Sequence, residues 1–275
     1  MAASFISLSD SIGAELTGVD LSLGADSNLA KAIEAALVQD LVLVIRDQRL
    51  TPTQLLQAVA MLGPIMPQHL INLRLPGHSE IVVLDSRNTK AGADGKVVPI
   101  GARDWHTDHA HQERPPNFTA LYALRLPDRG GDTSFANMQA AFASLPKAEQ
   151  AELETLTIIT KIDDRYSSNE DAVVHAEPRR HPLVRTHPVT GRKAIYFHPG
   201  MVARIDGMTA EESRLYLERL LDRAIEAEFI YRHQWELGDL VIMDNRGQMH
   251  VAHTDYDFAS GRTLHRVLVE GEVPY

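Results

Sequence analysis

No cysteine occurs anywhere in the 275 residues, which removes disulfides, thiolate-held zinc, iron–sulfur clusters and cysteine nucleophiles from consideration. Any metal must be held by His, Asp or Glu. Basic runs are missing as well: Asp plus Glu number 37 against 27 for Lys plus Arg, a formal net charge of −10 that disfavours nucleic acid as a partner. An acidic average does not forbid an anionic small molecule, because a few buried arginines set a pocket's potential on their own. No apolar stretch reaches bilayer-spanning length, and Met1 to Leu21 lacks a basic start and a continuous apolar segment, so a cytoplasmic protein without a membrane partner is expected. Repeats, low-complexity tracts and Pro/Gly/Ser-rich linkers are absent too. That leads to one domain over residues 1–275, long enough to bury roughly three quarters of its unfolded surface.

What is present alternates between helix and strand signals. Leu29, Ile33, Ala36 and Leu37 predict a helix over Asn28 to Asp40, followed by a buried strand from Leu41 to Ile45. Thr51-Pro52-Thr53-Gln54 combines an N-cap, a proline at the first helical position and a capping-box Gln, with Gly63-Pro64 as the stop. Thr209-Ala210-Glu211-Glu212 opens a longer helix that runs to about Glu228. Strands are predicted at Ile81 to Leu84, Phe118 to Leu126, Ala194 to Phe197, Phe229 to Gln234, Leu240 to Met243 and Thr263 to Val269. Scattered strands with helical excursions imply a mainly β sandwich or barrel with flanking helices, not an alternating parallel sheet. Ser86 to Asp104 and Lys161 to Pro182 read as long loops of the kind that serve as lids.

Four segments carry chemistry. Trp105-His106-Thr107-Asp108, read as extended chain, turns His106 and Asp108 to one side, since i and i+2 share a face. A further His from a distant strand would complete two His and one carboxylate, the set that leaves positions open on a non-haem Fe(II). Downstream, the apolar run Leu240 to Met243 leads into Asp244-Asn245-Arg246 and then His250. A capped strand end explains that crowding of polar residues equally well. In Arg262-Thr263-Leu264-His265-Arg266-Val267-Leu268, strand periodicity puts Arg262 and Arg266 on the face of Leu264 and Leu268. Buried guanidiniums require anions, either a ligand carboxylate, sulfonate or phosphate, or an acidic residue of a neighbouring strand. Gly130-Gly131-Asp132-Thr133 is a tight turn that sets a hydroxyl at the start of the next element.

Taken in order, these segments resemble the Fe(II)- and 2-oxoglutarate-dependent dioxygenases of the taurine dioxygenase and 2,4-dichlorophenoxyacetate dioxygenase type. The resemblance extends over nearly the whole chain, through Gly18-Val19-Asp20-Leu21, the run Phe135 to Phe142, His181-Pro182-Leu183-Val184-Arg185-Thr186-His187-Pro188 and Thr190-Gly191-Arg192. It implies a double-stranded β-helix, the jelly-roll, cupin-like core. It further implies that His106, Asp108 and His250 bind Fe(II), that Thr133 and Arg262 bind the distal carboxylate of 2-oxoglutarate, and that Arg266, His69 and Asn72 contact the primary substrate. His253 is the rival to His250, but three residues along a strand reverses the side.

The implied reaction consumes 2-oxoglutarate and O2, releases succinate and CO2, and hydroxylates a small or medium-sized anionic molecule, with fragmentation where the hydroxylated carbon bears a heteroatom. Desaturation or epoxidation in a biosynthetic pathway is the alternative within the class. A non-catalytic metal- or organic-acid-binding barrel is the alternative outside it. Zinc hydrolysis lacks a recognisable general base, and Asp108 speaks against a halogenase, which gives up that carboxylate for halide. Ala102 stands where the taurine enzyme has an Asn, which argues against taurine itself. Arg74, His109, His111 and His198 are candidates for the mouth of the site, with Met201 as an apolar wall. Relatives commonly form dimers or tetramers, so the resemblance implies a homo-oligomer.

Overall fold

The computed structural model describes residues 3–68, 70–91, 97–99, 104–161 and 177–275. Phe118–Arg125 lies between Leu240–Asp244 and Thr263–Val269, antiparallel to both, in an eight-stranded sheet. Its other members are Ser4–Ser7, Ala14–Thr17, Val42–Ile45, Arg74–Leu75 and His78–Asp85. A second sheet has Thr133–Asn137 at its centre, with Ile230–His233 and Gln248–Ala252 antiparallel on either side.

The period of two along each strand divides the core into layers. Phe118, Ala120, Tyr122, Leu240, Ile242, Val267 and Val269 face outward from the large sheet, onto Ile33 and Leu37 of the helix Ser27–Asp40 and Leu55, Ala58 and Val59 of the helix Pro52–Ala60. Leu121, Ala123, Val241, Met243 and Leu264 face the other way and meet Phe135 of the small sheet. Ala136 and Met249, on the far side of the small sheet, pack with the helices Met138–Ser144 and Ala210–Ala224. The result is a mainly β jelly-roll core with helices on its flanks. Its inner layer positions the site. Thr119 and Arg266 are two residues from Leu121 and Leu264 on their strands, and His250 registers with Phe135.

Local signals set most element ends. Both capping boxes form, Thr51 with Gln54 and Thr209 with Glu212, and such caps stabilise a helix by about 1 kcal/mol each. Thr263–Val269 spans the predicted residues, and Phe118–Arg125 stops one short of them. Several boundaries differ. Leu41 is not in a strand: it caps the preceding helix in the left-handed region at φ 65°, and the strand begins at Val42. The helix that opens at Thr209 ends at Ala224 rather than Glu228, and Ala227–Phe229 forms a separate 3-10 turn. Lys193–Ile195 is the strand at the Ala194 to Phe197 prediction, leaving Tyr196 and Phe197 beyond its end. Two helices were unread in the sequence: Met138–Ser144, capped by Asn137, and Lys147–Leu153, which follows after Leu145 and Pro146 without a side-chain cap. Among the described residues no helix is long and apolar enough to cross a membrane.

Candidate active site

Trp105 to Asp108 is not a strand. His106 makes a single antiparallel bridge with His250, its N–H donating to the His250 carbonyl at 3.0 Å and the reverse bond measuring 2.8 Å. The chain then turns away at His109, whose φ is 49°. That one bridge suffices to bring a loop residue beside a residue of Gln248–Ala252, with ring centroids 4.1 Å apart. His106, Asp108 and His250 are all buried, and one ligand atom from each lies within 4.8 Å of the others. His253 points elsewhere, its Nε2 2.7 Å from the Ser134 hydroxyl.

Protonation and hydrogen bonding suit a cation. His106 Nδ1 is 2.8 Å from the Asp104 carbonyl, which can only accept, so the proton sits on Nδ1 and the Nε2 lone pair is left for a metal. Nε2 lies 3.9 Å from Asp108 Oδ1. Burial pushes His250 down to about 3, so its ring stays neutral at ordinary pH. Its Nδ1 is buried without a hydrogen-bond partner. Burial alone would raise the Asp108 pKa, but Arg266 first, then His250 and His106, outweigh it and hold the carboxylate ionised. Two imidazoles and a carboxylate, converging in a buried place, are the donor chemistry of an Fe(II) site.

A second cluster lies at the start of Thr263–Val269. Arg262 is 9% exposed, its Nε has no partner, and among the described residues no carboxylate pairs with it. Its Nη2 donates to Thr133 Oγ1 at 3.2 Å, and the guanidinium carbon stands 5.4 Å from the Trp235 ring centre. Burial lowers its pKa, as expected of a desolvated cation. Thr133 Oγ1 also accepts from Trp235 Nε1 at 3.0 Å, so the hydroxyl proton remains available to donate. An unpaired guanidinium beside a donating hydroxyl is a receptor for a carboxylate. Gly131, at φ 75°, makes room for it, since a Cβ there would stand 3.1 Å from Arg262 Cδ.

Arg266, equally buried, meets Asp108 Oδ1 through Nη1 and His109 Nε2 through Nη2, both at 3.4 Å, while its Nε is unpartnered. Part of its charge is therefore answered by the Asp108 carboxylate itself. His198 is buried 5.3 Å from the His106 ring, and His111 Nδ1 lies 3.0 Å from Met201 Sδ. Arg74 points back along the chain and donates from Nε to the Gln68 carbonyl at 3.1 Å. Asn72 is exposed on the 3-10 turn Ile71–Leu73, outside the hydrogen bonds that assemble the cluster. His69 and Ala102 lie outside the described residues, as do 92–96 and 162–176 of the two long loops. Trp235 and Thr119 join the site without having been singled out in the sequence, and Asn245, named there within the polar segment that leads to His250, joins them. Thr119 donates to Asp108 Oδ2 at 2.7 Å and accepts from Asn245 Nδ2 at 2.9 Å.

Comparison with known proteins gives a consistent answer. Residues 4–268 match the family described as taurine catabolism dioxygenase TauD, TfdA family. The alpha-ketoglutarate-dependent 2,4-dichlorophenoxyacetate dioxygenase of Cupriavidus pinatubonensis is 32% identical over 269 residues, 90% of this chain and 91% of that one. The alpha-ketoglutarate-dependent sulfate ester dioxygenase of Pseudomonas putida is 32% identical over 276 residues, 96% of this chain and 88% of that one. The crystal structure of AAD-2 in complex with Mn(II) and N-oxalylglycine superposes with a TM-score of 0.84 at 28% identity, covering 100% of this chain and 99% of that one.

Proposed function

The chain belongs to the taurine catabolism dioxygenase TauD, TfdA family and is a 2-oxoglutarate-dependent non-haem iron dioxygenase, and on that premise we propose that His106, Asp108 and His250 hold its Fe(II). The observation behind this reading is the convergence of their three ligand atoms within 4.8 Å in a buried place. When bound there, Fe(II) with 2-oxoglutarate and O2 supplies the oxidising power that attacks a substrate C–H bond, with succinate and CO2 as co-products.

The protein's own contribution is positioning and charge. Asp104 fixes the His106 ring through its carbonyl, and burial keeps His250 neutral, so no proton has to be displaced from that ring before metal binds. Arg262 and the Thr133 hydroxyl receive the distal carboxylate of 2-oxoglutarate, which supplies the anion that Arg262 otherwise lacks. Arg266, beside Asp108, orients the anionic group of the primary substrate, a small or medium-sized organic acid or ester of the kind named for the relatives. His69 and Asn72 belong to the same substrate-contacting set by resemblance. Since Thr133 begins a strand of the small sheet and Arg262 immediately precedes one of the large sheet, we read the whole chain as one catalytic unit. Assembly into a dimer or tetramer and a cytoplasmic setting complete the proposal; sedimentation equilibrium measures the first and cell fractionation the second.

Succinate formation with Fe(II), 2-oxoglutarate and O2, measured over sulfonates, aryloxyalkanoates, sulfate esters and amino-acid derivatives with His106→Ala as blank, tests the reading. One substrate class is expected to stimulate turnover. Arg262→Ala is expected to raise the KM for 2-oxoglutarate roughly 30-fold or more, the effect of removing one partner from a buried charge pair, and Arg266→Ala to act mainly on the primary substrate. Equal effects of both variants on both ligands would count against the division of roles.

A further inference from the structure

The two oxygens of Asp108 have different surroundings. Oδ1 faces the ligand cluster, 3.9 Å from His106 Nε2 and 3.4 Å from Arg266 Nη1. Oδ2 faces the large sheet and accepts from the Thr119 hydroxyl at 2.7 Å. Thr119 has one proton to give. Its oxygen already accepts from Asn245 Nδ2 at 2.9 Å, and so the proton goes to Asp108.

The orientation of Asn245 is set from its opposite end. Its Oδ1 faces two donors, the Asp108 N–H and Gln248 Nε2, each at 3.4 Å. Its main-chain carbonyl accepts from Thr107 Oγ1 at 2.9 Å. A flipped amide would turn an N–H toward those donors and leave the Thr119 hydroxyl without its donor. Thr119 and Asn245 are fully buried, so water does not compete for these bonds.

The neighbours of Asn245 point away from the metal side. Asp244 is occupied by Arg246 and by His187 Nε2 at 3.1 Å. The turn between Leu240–Asp244 and Gln248–Ala252 is thereby pinned on one side by the contacts of Asp244 with Arg246 and His187 and presents Asn245 on the other. That turn leads directly into His250. Asn245 therefore touches the segment that supplies His106 and Asp108, Gln248 of the strand that supplies His250, and Thr119 of the large sheet.

We propose that Asn245 and Thr119 are positioning residues for the metal centre: acting through the Thr119 hydroxyl, they lock Asp108 in the rotamer that presents Oδ1, and they tie the His106–Asp108 turn to the turn that leads into His250. This rests on the assignment of Asp108 as an iron ligand. Neither residue touches iron, 2-oxoglutarate or substrate. Their effect is on metal affinity and ligand geometry.

The test is an anaerobic Fe(II) titration of the whole chain by calorimetry, with the d–d absorption of the Co(II) form as a reporter of ligand geometry. Thr119→Val removes the hydroxyl and keeps the shape, whereas Thr119→Ser keeps the hydroxyl. Thr119→Val is expected to weaken Fe(II) binding about 10- to 100-fold and to change the Co(II) spectrum, and Thr119→Ser to restore both. Asn245→Ser, which withdraws the donor from Thr119, is expected to move the same two readouts in the same direction and serves if the valine variant does not fold. Unchanged Fe(II) affinity and an unchanged Co(II) spectrum in a folded Thr119→Val or Asn245→Ser protein would overturn the proposal. Asp108→Ala separates the two layers: loss of binding there with none in the relay variants sinks the relay alone, while unchanged binding in Asp108→Ala sinks the ligand assignment.

Discussion

Asp108 and Asp244 are both buried carboxylates with a guanidinium and an imidazole beside them, yet their hydrogen bonding is opposite in character. Asp244 is saturated: Arg246 donates from Nε to Oδ1 at 2.8 Å and from Nη2 to Oδ2 at 2.6 Å, its main-chain N–H reaches Oδ1 at 2.9 Å, and His187 Nε2 lies 3.1 Å from Oδ2. Asp239 repeats the pattern, with Arg46 at 3.0 Å, His233 at 2.9 Å and the Glu236 N–H at 2.8 Å. Asp108 has one oxygen closed by Thr119 at 2.7 Å, while the other meets Arg266 at the longer distance of 3.4 Å. A cluster of His, Asp and Arg is thus not a functional site by virtue of its residue types. What distinguishes Asp108 is acceptor capacity left open toward two imidazoles.

The largest expected contrast comes from removing each carboxylate. Asp108→Ala should weaken Fe(II) binding more than ~100-fold, beyond the effect usual for outer-sphere groups, and abolish succinate formation. Asp244→Ala leaves Arg246 and His187 buried without their acceptor and should cost about 3–5 kcal/mol in urea unfolding, more than Asp108→Ala does. If both variants lost stability equally and metal binding equally, the distinction between open and saturated carboxylates would collapse.

Acid sharpens the same comparison. Arg246 and His187 hold Asp244 at about 2, against an ordinary value of 3.8, despite the opposing effect of burial. A folded-state pKa below the unfolded one contributes stability that is complete above roughly pH 4 and disappears as pH falls through about 2; here it amounts to about 2 kcal/mol. Unfolding free energies between pH 2 and 5 should therefore show a shallower dependence in Asp244→Asn than in the wild type. An identical slope would mean that the pair does not act as described. The smallest effect concerns the carboxylate receptor. Trp235→Phe keeps the ring over Arg262 and removes only the N–H to Thr133, so the KM for 2-oxoglutarate should rise about fivefold, the worth of one hydrogen bond near 1 kcal/mol. No change would place Thr133 outside the cosubstrate site.

The difference between the two aspartates also marks what the sequence could convey. Strands with alternating or continuous apolar residues, such as Thr263–Val269, and helices with reciprocal caps at Thr51 and Thr209 were legible because their causes are local. So was the grouping of His106, Asp108 and His250, although the structure achieves it through one bridge rather than a strand. The helices Met138–Ser144 and Lys147–Leu153 were not, because Asn137 ends a strand and caps a helix at once and each helix is only 7 residues long. Leu41 reads as part of an apolar strand, whereas it takes the left-handed C-cap of the preceding helix with its side chain buried in the core. Thr119 sits in a run of strand-forming residues where a Thr signals nothing but β propensity. Asn245, after an apolar strand, looks like an ordinary cap; its role depends on partners as far back in the chain as Thr107.

The most direct test of the central claim is anomalous diffraction at the iron edge from crystals grown anaerobically with Fe(II) and 2-oxoglutarate. A single strong peak bounded by His106, Asp108 and His250, with the distal carboxylate on Arg262 and Thr133, is the predicted result. Iron bound elsewhere, or 2-oxoglutarate seated away from Arg262, would contradict it.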